Sequence, residues 1–520
     1  MNIGLKRAVS GIAMGATLAA LPLASNAKVP LRPVRALSMA RHGVYEAVAP
    51  DSAQPHRAAF AAKTLAAQPR VGSVPGFLID SQFEGINLIQ TIALGSGAIP
   101  PDHGGAANTD YVLQIVNGGA AVYDHQGKLL SKLKTDSDFW RAAGIPAALL
   151  VNGVSDPRIT WDKTSQRWFV SQINLDFNPS NEVFIAVSNS ANPLQGFKAV
   201  HARIKAGTFG DFPTLGVNAD AVTVTTNNFA FGLFFSDLSV LSFPKADLLL
   251  AKPTAARLNR FDTVDPATYG FALQPVNSWD PSDTSQDLFG VSATRFFEFR
   301  YSRLIDLGEQ FAGLSTAVAV PTKYDGNPPL GRQPVGPGYD NSDDRIGAKI
   351  TQVGNYIYVT NGVSDSTKGA TKLASQIHWS IVDRTTQKIV AEGRIADPSR
   401  NIDYSYPAID ANANGRFVIG YNGSSTTSNI SAYATICDFD KVAVTVTCSA
   451  PKLLRYGLDD SYDLGFPGRV RWGDYNAVQL DPDNANAFWL FQEFPGYRQL
   501  RTNGAYGARW ATVITHMVTQ

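Results

Sequence analysis

Short apolar runs and turn clusters alternate along most of this chain. β-Branched and aromatic runs at residues 111–116, 221–226, 356–360 and 417–421 are each followed by a stretch rich in Gly, Asn or Ser. From about residue 84 onward helix signals nearly vanish. Regularly spaced short strands of this kind are typical of a sandwich, a barrel or a propeller.

A degenerate repeat decides among these folds. In this repeat a strand ends in Asp, a polar turn follows, and an aromatic or apolar residue begins the next strand; the copies are at Asp124, Asp162, Asp383, Asp410 and Asp481. Such an Asp is expected to accept hydrogen bonds from backbone N–H groups of the turn. The aromatic residue packs on a neighbouring sheet, which predicts that Trp168 and Trp489 are buried between sheets.

A second polar element precedes several copies of the repeat. It is seen in Asp156-Pro157, Tyr406-Pro407, Gly473-Asp474-Tyr475, Asp211-Phe-Pro and Asp344-Arg345. Together with strand-rich stretches near residues 84–130 and 270–320, these starts give about seven blades of four strands, within the usual range for propellers. Six or eight blades fit as well, because the repeat is only weakly visible in the fourth stretch, near residues 270–320. The predicted fold is all-β, a single β-propeller over residues 84–520.

The N-terminal part differs in composition. Lys6 and Arg7 precede an apolar stretch over residues 8–24, and Ser25-Asn26-Ala27 supplies the small residues of a cleavage site. Residues 1–27 are therefore predicted to be a signal peptide, and residues 28–83, rich in Ala, Arg and Pro, an N-terminal extension. We expect a secreted or periplasmic protein with no membrane span in the mature chain.

Cys437 and Cys448 are the two cysteines, and both flank apparent strands. In an exported protein such a pair is expected to form a disulfide, which in the chain-entropy model is worth roughly 2.5–3 kcal/mol. A metal pair is disfavoured because no further Cys or His lies near them in the sequence.

Charge and motif content exclude several classes of function. The formal net charge is +1 and only 17% of residues are charged, so neither a nucleic acid nor an anionic membrane is an expected partner. The seven histidines are scattered, which argues against a zinc site. The chain has no Gly-x-Ser-x-Gly nucleophile elbow, so the usual sequence signal of a serine hydrolase is absent. The Asp-rich loops are compatible with Ca²⁺ but lack EF-hand spacing, so no cofactor is predicted. We also expect the protein to be a monomer.

The polar starts of the repeats give the candidate site. Because the innermost strand of each blade lines the channel of a propeller, the residues that begin these strands are expected to converge: Asp156, Arg158, Asp211, Asp344, Arg345, Tyr406 and Asp474, with Trp472 and Tyr475 beside them. Carboxylates, arginines and aromatic rings at a channel mouth suit a carbohydrate. The same side chains are equally able to bond to neighbouring backbone and hold blades together.

Several motifs extend this picture from about residue 85 to residue 515. They are Pro101-Asp-His-Gly-Gly, Tyr111-Val-Leu-Gln-Ile-Val-Asn, Asp156-Pro-Arg-Ile-Thr-Trp-Asp, Arg167-Trp-Phe-Val-Ser, Asp211-Phe-Pro-Thr-Leu-Gly-Val-Asn, Arg471-Trp-Gly-Asp-Tyr and Arg509-Trp. In them the chain resembles secreted bacterial proteins with a sialidase-like (BNR/Asp-box-type) β-propeller. The resemblance implies the fold and no particular activity.

Sialidase activity itself is not predicted. Sialidases use an arginine triad, a Tyr–Glu pair and an Asp acid, and they carry Phe/Tyr-Arg-Ile-Pro near the start. This chain lacks that tetrapeptide and the full Asp box. Arg158, Arg345 and Arg471 are the available arginines for a triad.

Two functions fit the sequence. The first is an enzyme on extracellular polysaccharide or glycoconjugate, either a glycoside hydrolase or a lyase. Hydrolysis needs two carboxyl groups about 5–5.5 Å or about 6.5–9.5 Å apart, with Asp156, Asp344 and Asp474 as catalytic candidates and Arg345 and Tyr475 as orienting groups. A lyase would use Tyr or His as base and Arg to neutralise a uronic acid. The alternative is a non-catalytic propeller that binds glycan or protein at the cell envelope.

Overall fold

The computed structural model describes residues 76–176, 181–364, 373–466, 469–496, 499–500, 506–507 and 509–520. The predicted signal peptide and nearly all of the predicted extension lie outside the described residues. No helix among the described residues is long and apolar enough to cross a membrane.

The strands of the first half form three complete sheets and part of a fourth. The described chain begins with β1 (Phe77–Asn87). Blade 1 contains β2 (Gly104–Ala107), β3 (Val112–Val116) and β4 (Gly119–Tyr123). Blade 2 contains β5 (Val154–Asp162), β6 (Arg167–Asn174), β7 (Glu182–Ser188) and β8 (Phe197–Arg203). Blade 3 contains β9 (Thr208–Val217), β10 (Ala221–Ala230), β11 (Phe234–Pro244) and β12 (Asn259–Val264).

Blades 4 and 5 follow, with one short strand between them in sequence; their inner strands pair in parallel from Val276↔Ile350 to Ser278↔Gln352, so the two blades form one continuous sheet. Blade 4 contains β13 (Phe271–Ser278), β14 (Gln286–Val291), β15 (Glu298–Ile305), β16 (Gly313–Leu314) and β17 (Val318–Pro321). The short strand is β18 (Tyr339–Asp340). Blade 5 contains β19 (Ile350–Val353), β20 (Tyr356–Ser364), β21 (Ser375–Asp383) and β22 (Lys388–Ile395).

The last blades use strands from both ends of the described chain. Blade 6 contains β23 (Ile402–Ala411), β24 (Arg416–Ser425), β25 (Ser431–Asp440), β26 (Thr445–Cys448) and β27 (Lys452–Arg455). A small separate sheet joins β18 to β28 (Gly465–Phe466) and β29 (Arg469–Arg471). Blade 7 contains β30 (Ala477–Leu480), β31 (Ala487–Pro495) and β34 (Trp510–Thr519), with β1 at its outer edge. Between β31 and β34 lies a separate hairpin of β32 (Gln499–Leu500) and β33 (Tyr506–Gly507).

Helical segments are few and short in the described residues. They are α1 (Leu88–Ala93), α2 (Asp136–Ala142), α3 (Lys245–Leu248), α4 (Pro266–Tyr269) and the 3₁₀ turns Ala147–Leu150 and Pro193–Gln195.

The inner strands form a closed ring. In the order β2, β5, β9, β13, β19, β23 and β30 each contacts the next, and β30 contacts β2. The ring is closed within blade 7, where β1 pairs antiparallel with β34 from Phe77↔Thr519 to Asn87↔Ala511. The described chain is therefore a β-propeller of seven blades, as the repeat predicted. Its first strand begins at Phe77, ahead of the predicted boundary at residue 84.

Apolar side chains fill the spaces between adjacent blades. Every residue of β5 and of β31 is buried, because both faces of these strands are packed against neighbouring sheets. Trp168 and Trp489 are fully buried, which confirms the prediction for the aromatic residues after the turns. The Trp168 ring lies 5.0 Å from that of Trp161, and the Trp489 ring stacks on His516 at 4.4 Å.

The turn chemistry follows the repeat with one correction. Asp162 accepts from the backbone of Thr164 and Ser165 (both 3.2 Å), and Asp481 accepts from the two residues after its proline (2.8 and 2.9 Å). In the turn predicted for Asp410, Asn412 is the acceptor instead, bonded by the backbone of Asn414 and Arg416 at 2.9 Å. Asp410 instead binds the Lys349 ammonium group (2.8 Å) and accepts from the backbone N–H of Leu480 in blade 7 (2.9 Å).

The predicted disulfide is confirmed. Cys437 and Cys448 are bonded to each other and are directly opposite partners on β25 and β26.

Candidate functional site

Three inner strands share one irregularity near their start. Asp156 (φ 61°), Phe212 (φ 54°) and Tyr406 (φ 51°) lie in the left-handed region, and each is followed by proline. At these points the register of β5, β9 and β23 shifts against the next strand. Bulges of this kind redirect side chains and are common beside functional sites, where the surrounding structure must hold a strained backbone.

Seven of the nine predicted site residues meet at this end of the channel, together with three others. We call the set the axial cluster: Asp102, Asp156, Arg158, Asp211, Arg345, Tyr406, Arg471, Asp474, Tyr475 and Glu493. All of its side chains are buried. Its members come from the starts of blades 1, 2, 3, 5, 6 and 7 and from β31, so residues far apart in sequence share one site.

Stacked arginines connect the blades within the cluster. The Arg158 guanidinium lies 3.3 Å from the ring centre of Tyr475 and 4.9 Å from that of Phe212. The Arg345 guanidinium lies 4.7 Å from the same Phe212 ring. The Tyr475 hydroxyl donates to the carbonyl of Pro157 at 3.0 Å. These contacts bind the start of blade 7 to those of blades 2 and 3.

The third arginine is paired with a carboxylate. Arg471 Nη2 lies 2.6 Å from Asp474 Oδ1, and Arg471 Nη1 lies 4.0 Å from Asp340 Oδ2. Burial by itself would lower the pKa of Arg471, but the charge of Asp474 raises that pKa above its ordinary value. The Tyr406 hydroxyl donates to the backbone carbonyl of Asp340. The three arginines therefore lie in one region but bind different partners, and they do not form a triad on one carboxylate.

Four of the acidic members hold protons more tightly than free carboxyl groups: Asp102, Asp156, Asp211 and Glu493. Burial, and then the charge of Asp474, raise the pKa of Asp156. Burial raises the pKa of Asp211 well above its ordinary range, helped by Asp156 and Asp474 and opposed by Arg345. The pKa of Asp102 is raised in the same way by burial and by Asp474. The cluster therefore combines proton-holding acids with an arginine-paired carboxylate.

The sequence interpretation missed Asp102 and Glu493 as site residues. Asp102 directly precedes blade 1, at the place where the other starts lie, so the repeat would have indicated it. Burial raises the pKa of Glu493 well above its usual range, and Asp474 adds to this effect. The signal for Glu493 was an isolated acid in the otherwise uncharged β31.

His103 lies beside these acids as a neutral ring. Burial lowers the pKa of His103 to about 3. Its Nε2 is 2.6 Å from the side-chain nitrogen of Gln114, and its ring packs edge-on against Phe491 at 5.8 Å.

Two further predicted site residues, Trp472 and Asp344, are next in sequence to Arg471 and Arg345 of the axial cluster. Trp472 is fully buried in an apolar cluster, with its ring 4.7 Å from that of Tyr462 and 6.2 Å from that of Tyr339. Asp344 is buried, and its backbone carbonyl accepts from Asn361 at 2.8 Å. Since Arg158 covers Tyr475 and Tyr462 packs on Trp472, stacking of either ring on a sugar would require these neighbours to move.

Several buried polar atoms of this region have no hydrogen-bond partner among the described residues. They are Asp102 Oδ1, Asp156 Oδ2, Arg158 Nη2, Arg471 Nε and Nη1, Trp472 Nε1 and Glu493 Oε1. Each such atom costs about 1–3 kcal/mol unless a water or ligand group bonds to it. A cavity of about 30 Å³ is lined among others by His103, Arg158 and Tyr475, and Arg158 is the residue that it shares with this set of unpartnered atoms. Within the described part of the chain, no three His, Cys, Asp or Glu side chains are arranged to hold a metal ion.

Comparison with known proteins gives likenesses of fold. No family model and no curated protein matches the chain. A Fusarium graminearum alpha-L-arabinofuranosidase is 9% identical over 79% of this chain and 92% of its own, with a TM-score of 0.37. A Penicillium chrysogenum alpha-L-arabinanase is 10% identical over 80% and 92%, with a TM-score of 0.35. A Trypanosoma rangeli sialidase is 8% identical over 75% and 56%, with a TM-score of 0.35.

At these identities and TM-scores the likenesses carry no argument about activity. The propeller fold rests on the strand topology of this chain, and the resemblance to the BNR/Asp-box type stays a prediction.

Proposed function

We propose that the axial cluster is the catalytic centre of a secreted β-propeller that hydrolyses glycosidic bonds in extracellular polysaccharide or glycoconjugate. The observation that carries this proposal is the pairing of two kinds of acid in one site. Asp156 has a raised pKa, whereas Asp474 is ion-paired with Arg471 at 2.6 Å. Carboxyl groups whose environments differ in this way suit the acid and base roles of hydrolysis.

The contacts suggest how these roles divide. Asp156 Oδ1 accepts from Ser155 (2.7 Å), and Oδ2 has no partner among the described residues, so Oδ2 is the group available to protonate a leaving oxygen. Asp474 would act as nucleophile or base, with Arg471 orienting it. Asp344, predicted as a third catalytic carboxylate, has no role in this scheme.

A hydrolase is preferred to a lyase because of the state of Tyr475. Burial raises the pKa of Tyr475 well above 10.0, and its hydroxyl already donates to Pro157. A tyrosine that holds its proton so tightly is a poor base. A lyase would have to use the neutral His103 instead.

The second candidate is a non-catalytic glycan-binding propeller, because the small size of the axial cavity counts against turnover at the buried carboxyl groups. About 30 Å³ accommodates a water molecule or two, whereas small-molecule sites usually span roughly 300–1,000 Å³. Hydrolysis at this site therefore requires the surrounding side chains to open around a sugar.

The test is turnover and binding on a polysaccharide panel, with released reducing ends and unsaturated products both measured. Asp474→Asn and Asp156→Asn should each lower turnover per folded molecule by at least about 100-fold, because each removes a proton-transfer or nucleophilic group. Asp162→Asn is the matched control, a buried aspartate at the other end of β5. It should lower stability and leave turnover per folded molecule unchanged.

Each other outcome contradicts the proposal. Full turnover in both axial variants would place the chemistry elsewhere. Unsaturated products would show a lyase. Saccharide binding without turnover, weakened by Asp474→Asn, would identify the non-catalytic alternative.

A further inference from the structure

A second pocket lies at the opposite end of the propeller from the axial cluster, beside the turns of blades 6 and 7. Its volume is about 440 Å³, within the usual range of small-molecule sites of roughly 300–1,000 Å³. One side is the β24–β25–β26 sheet, and the other is the turn before β31, which contributes Asn486.

The floor of the pocket is one polar face of a sheet. Along the ladders Arg416 is opposite Asp438, Asp438 is opposite Thr447, and Asp440 is opposite Thr445. Residues at alternate positions and their cross-strand partners point to the same side. These five side chains therefore share the face that lines the pocket, while Cys437 and Cys448 share the other.

This floor is held rigidly. Arg416 binds Asp438 through two parallel hydrogen bonds of 2.7 and 3.0 Å. The remaining terminal nitrogen of Arg416 donates to the Thr519 hydroxyl (3.1 Å) and the Gln520 carbonyl (3.0 Å). The disulfide joins the residues next to Asp438 and Thr447. A site fixed in this way loses little conformational freedom when a ligand binds.

Most side chains at the surface of the pocket are uncharged hydrogen-bond donors and acceptors. The side chains of Thr445, Thr447, Asn414 and Asn486 are exposed and make no hydrogen bond to another described residue. Asp438 is 41% exposed and presents its carboxylate beside them. Two carboxylates against one guanidinium leave the pocket with a net negative charge, which disfavours anions. Amides, hydroxyls and a fixed carboxylate are the partners that sugar hydroxyl groups need.

We propose that this pocket is a binding subsite for a neutral mono- or disaccharide unit, separate from the axial cluster. The inference does not depend on the proposed hydrolysis, because no residue of the axial cluster lines the pocket. Binding there would hold a glycan chain on the outside of blades 6 and 7.

The experiment is a titration of the full chain with cellobiose, xylobiose, arabinobiose and digalacturonate, followed by calorimetry and NMR. The double variant Thr445→Val with Thr447→Val keeps the shape of the floor and removes two hydroxyl groups. Its affinity for the bound neutral disaccharide should fall about tenfold or more. Thr316→Val, at an exposed threonine between β16 and β17, is the matched control and should bind as the unchanged protein does.

Asp474→Asn separates this proposal from the catalytic one, since it should leave binding in this pocket unchanged. The proposal is overturned if none of the neutral disaccharides binds, if digalacturonate binds as well as they do, or if the double variant binds with undiminished affinity. Loss of binding in Asp474→Asn alone would assign the saccharide to the axial cluster.

Discussion

The two ends of strand β5 carry two buried aspartates that differ in almost every other respect. Asp162, at the turn end, accepts four hydrogen bonds from Thr164 and Ser165 and is paired with Lys245 at 2.7 Å. Asp156, at the axial end, has one oxygen without a hydrogen-bond partner among the described residues and a pKa raised by burial and by the charge of Asp474. Both belong to one strand of nine residues.

This difference distinguishes an aspartate that stabilises the fold from one that is a candidate for a functional role. The partners of Asp162 are supplied mainly by the next three residues of its own turn, so its charge is stabilised as soon as the hairpin forms. Asp156 is affected by Asp474 and Arg471 from the start of blade 7 as well as by Arg158 of its own strand, and burial with the charge of Asp474 prevails and raises its pKa. An aspartate kept in such surroundings is the better candidate for function.

The largest expected effect is a contrast in stability between these two positions. Asp162→Asn leaves the buried Lys245 ammonium without its carboxylate and should lower the free energy of unfolding by about 3–5 kcal/mol. Asp156→Asn replaces a carboxyl group whose charged form is disfavoured by its surroundings, so it should leave the free energy of unfolding unchanged or higher at neutral pH. Urea denaturation of both variants measures the contrast. Equal losses in the free energy of unfolding would show that Asp156 also stabilises the fold.

Aspartates at the turn end and at the axial end of the propeller should also make the stability of the fold depend on pH in opposite directions. Burial favours a higher pKa for Asp481, but hydrogen bonds from His516 and from the turn backbone lower it below its ordinary 3.8. Stability from Asp481 is therefore present above pH ~4 and is lost as the pH falls through the folded pKa. The pKa of Asp211 is raised. Its folded form keeps a proton that the unfolded chain has released, so stability declines as the pH rises from ~4 through the raised pKa.

Melting temperature as a function of pH, measured on Asp481→Asn and Asp211→Asn, tests this opposition. Asp481→Asn should flatten the acid side of the profile, and Asp211→Asn should flatten the side above pH ~4. Identical profiles for the two variants would contradict the assigned pKa directions.

The smallest expected effect concerns Tyr475. Tyr475→Phe removes the hydrogen bond to Pro157 but leaves the ring under Arg158, so the loss in stability should be about 1 kcal/mol. Calorimetric unfolding measures it. A loss several times larger would mean that the Tyr475 hydroxyl, rather than the stacked ring, holds blade 7 to blade 2.

The sequence by itself determined the features that depend on near neighbours. Alternation of apolar and polar residues predicted the strands, and repeated turns predicted the blades, because both patterns arise from contacts a few residues apart. The pairing of Cys437 with Cys448 was predictable for the same reason. Even the convergence of the polar starts followed from the repeat, since equivalent positions of equivalent blades must face one axis.

Only the tertiary structure decided how those positions are used. That Arg158 covers Tyr475 and that Tyr462 packs on Trp472 depends on contacts between separate blades. Glu493 joined the cluster from β31 and Asn412 took the turn role expected of Asp410, both without a distinct signal in the repeat. The protonation of the acids was likewise undetermined, because desolvation and the field of Asp474 exist only when residues hundreds of positions apart are brought together.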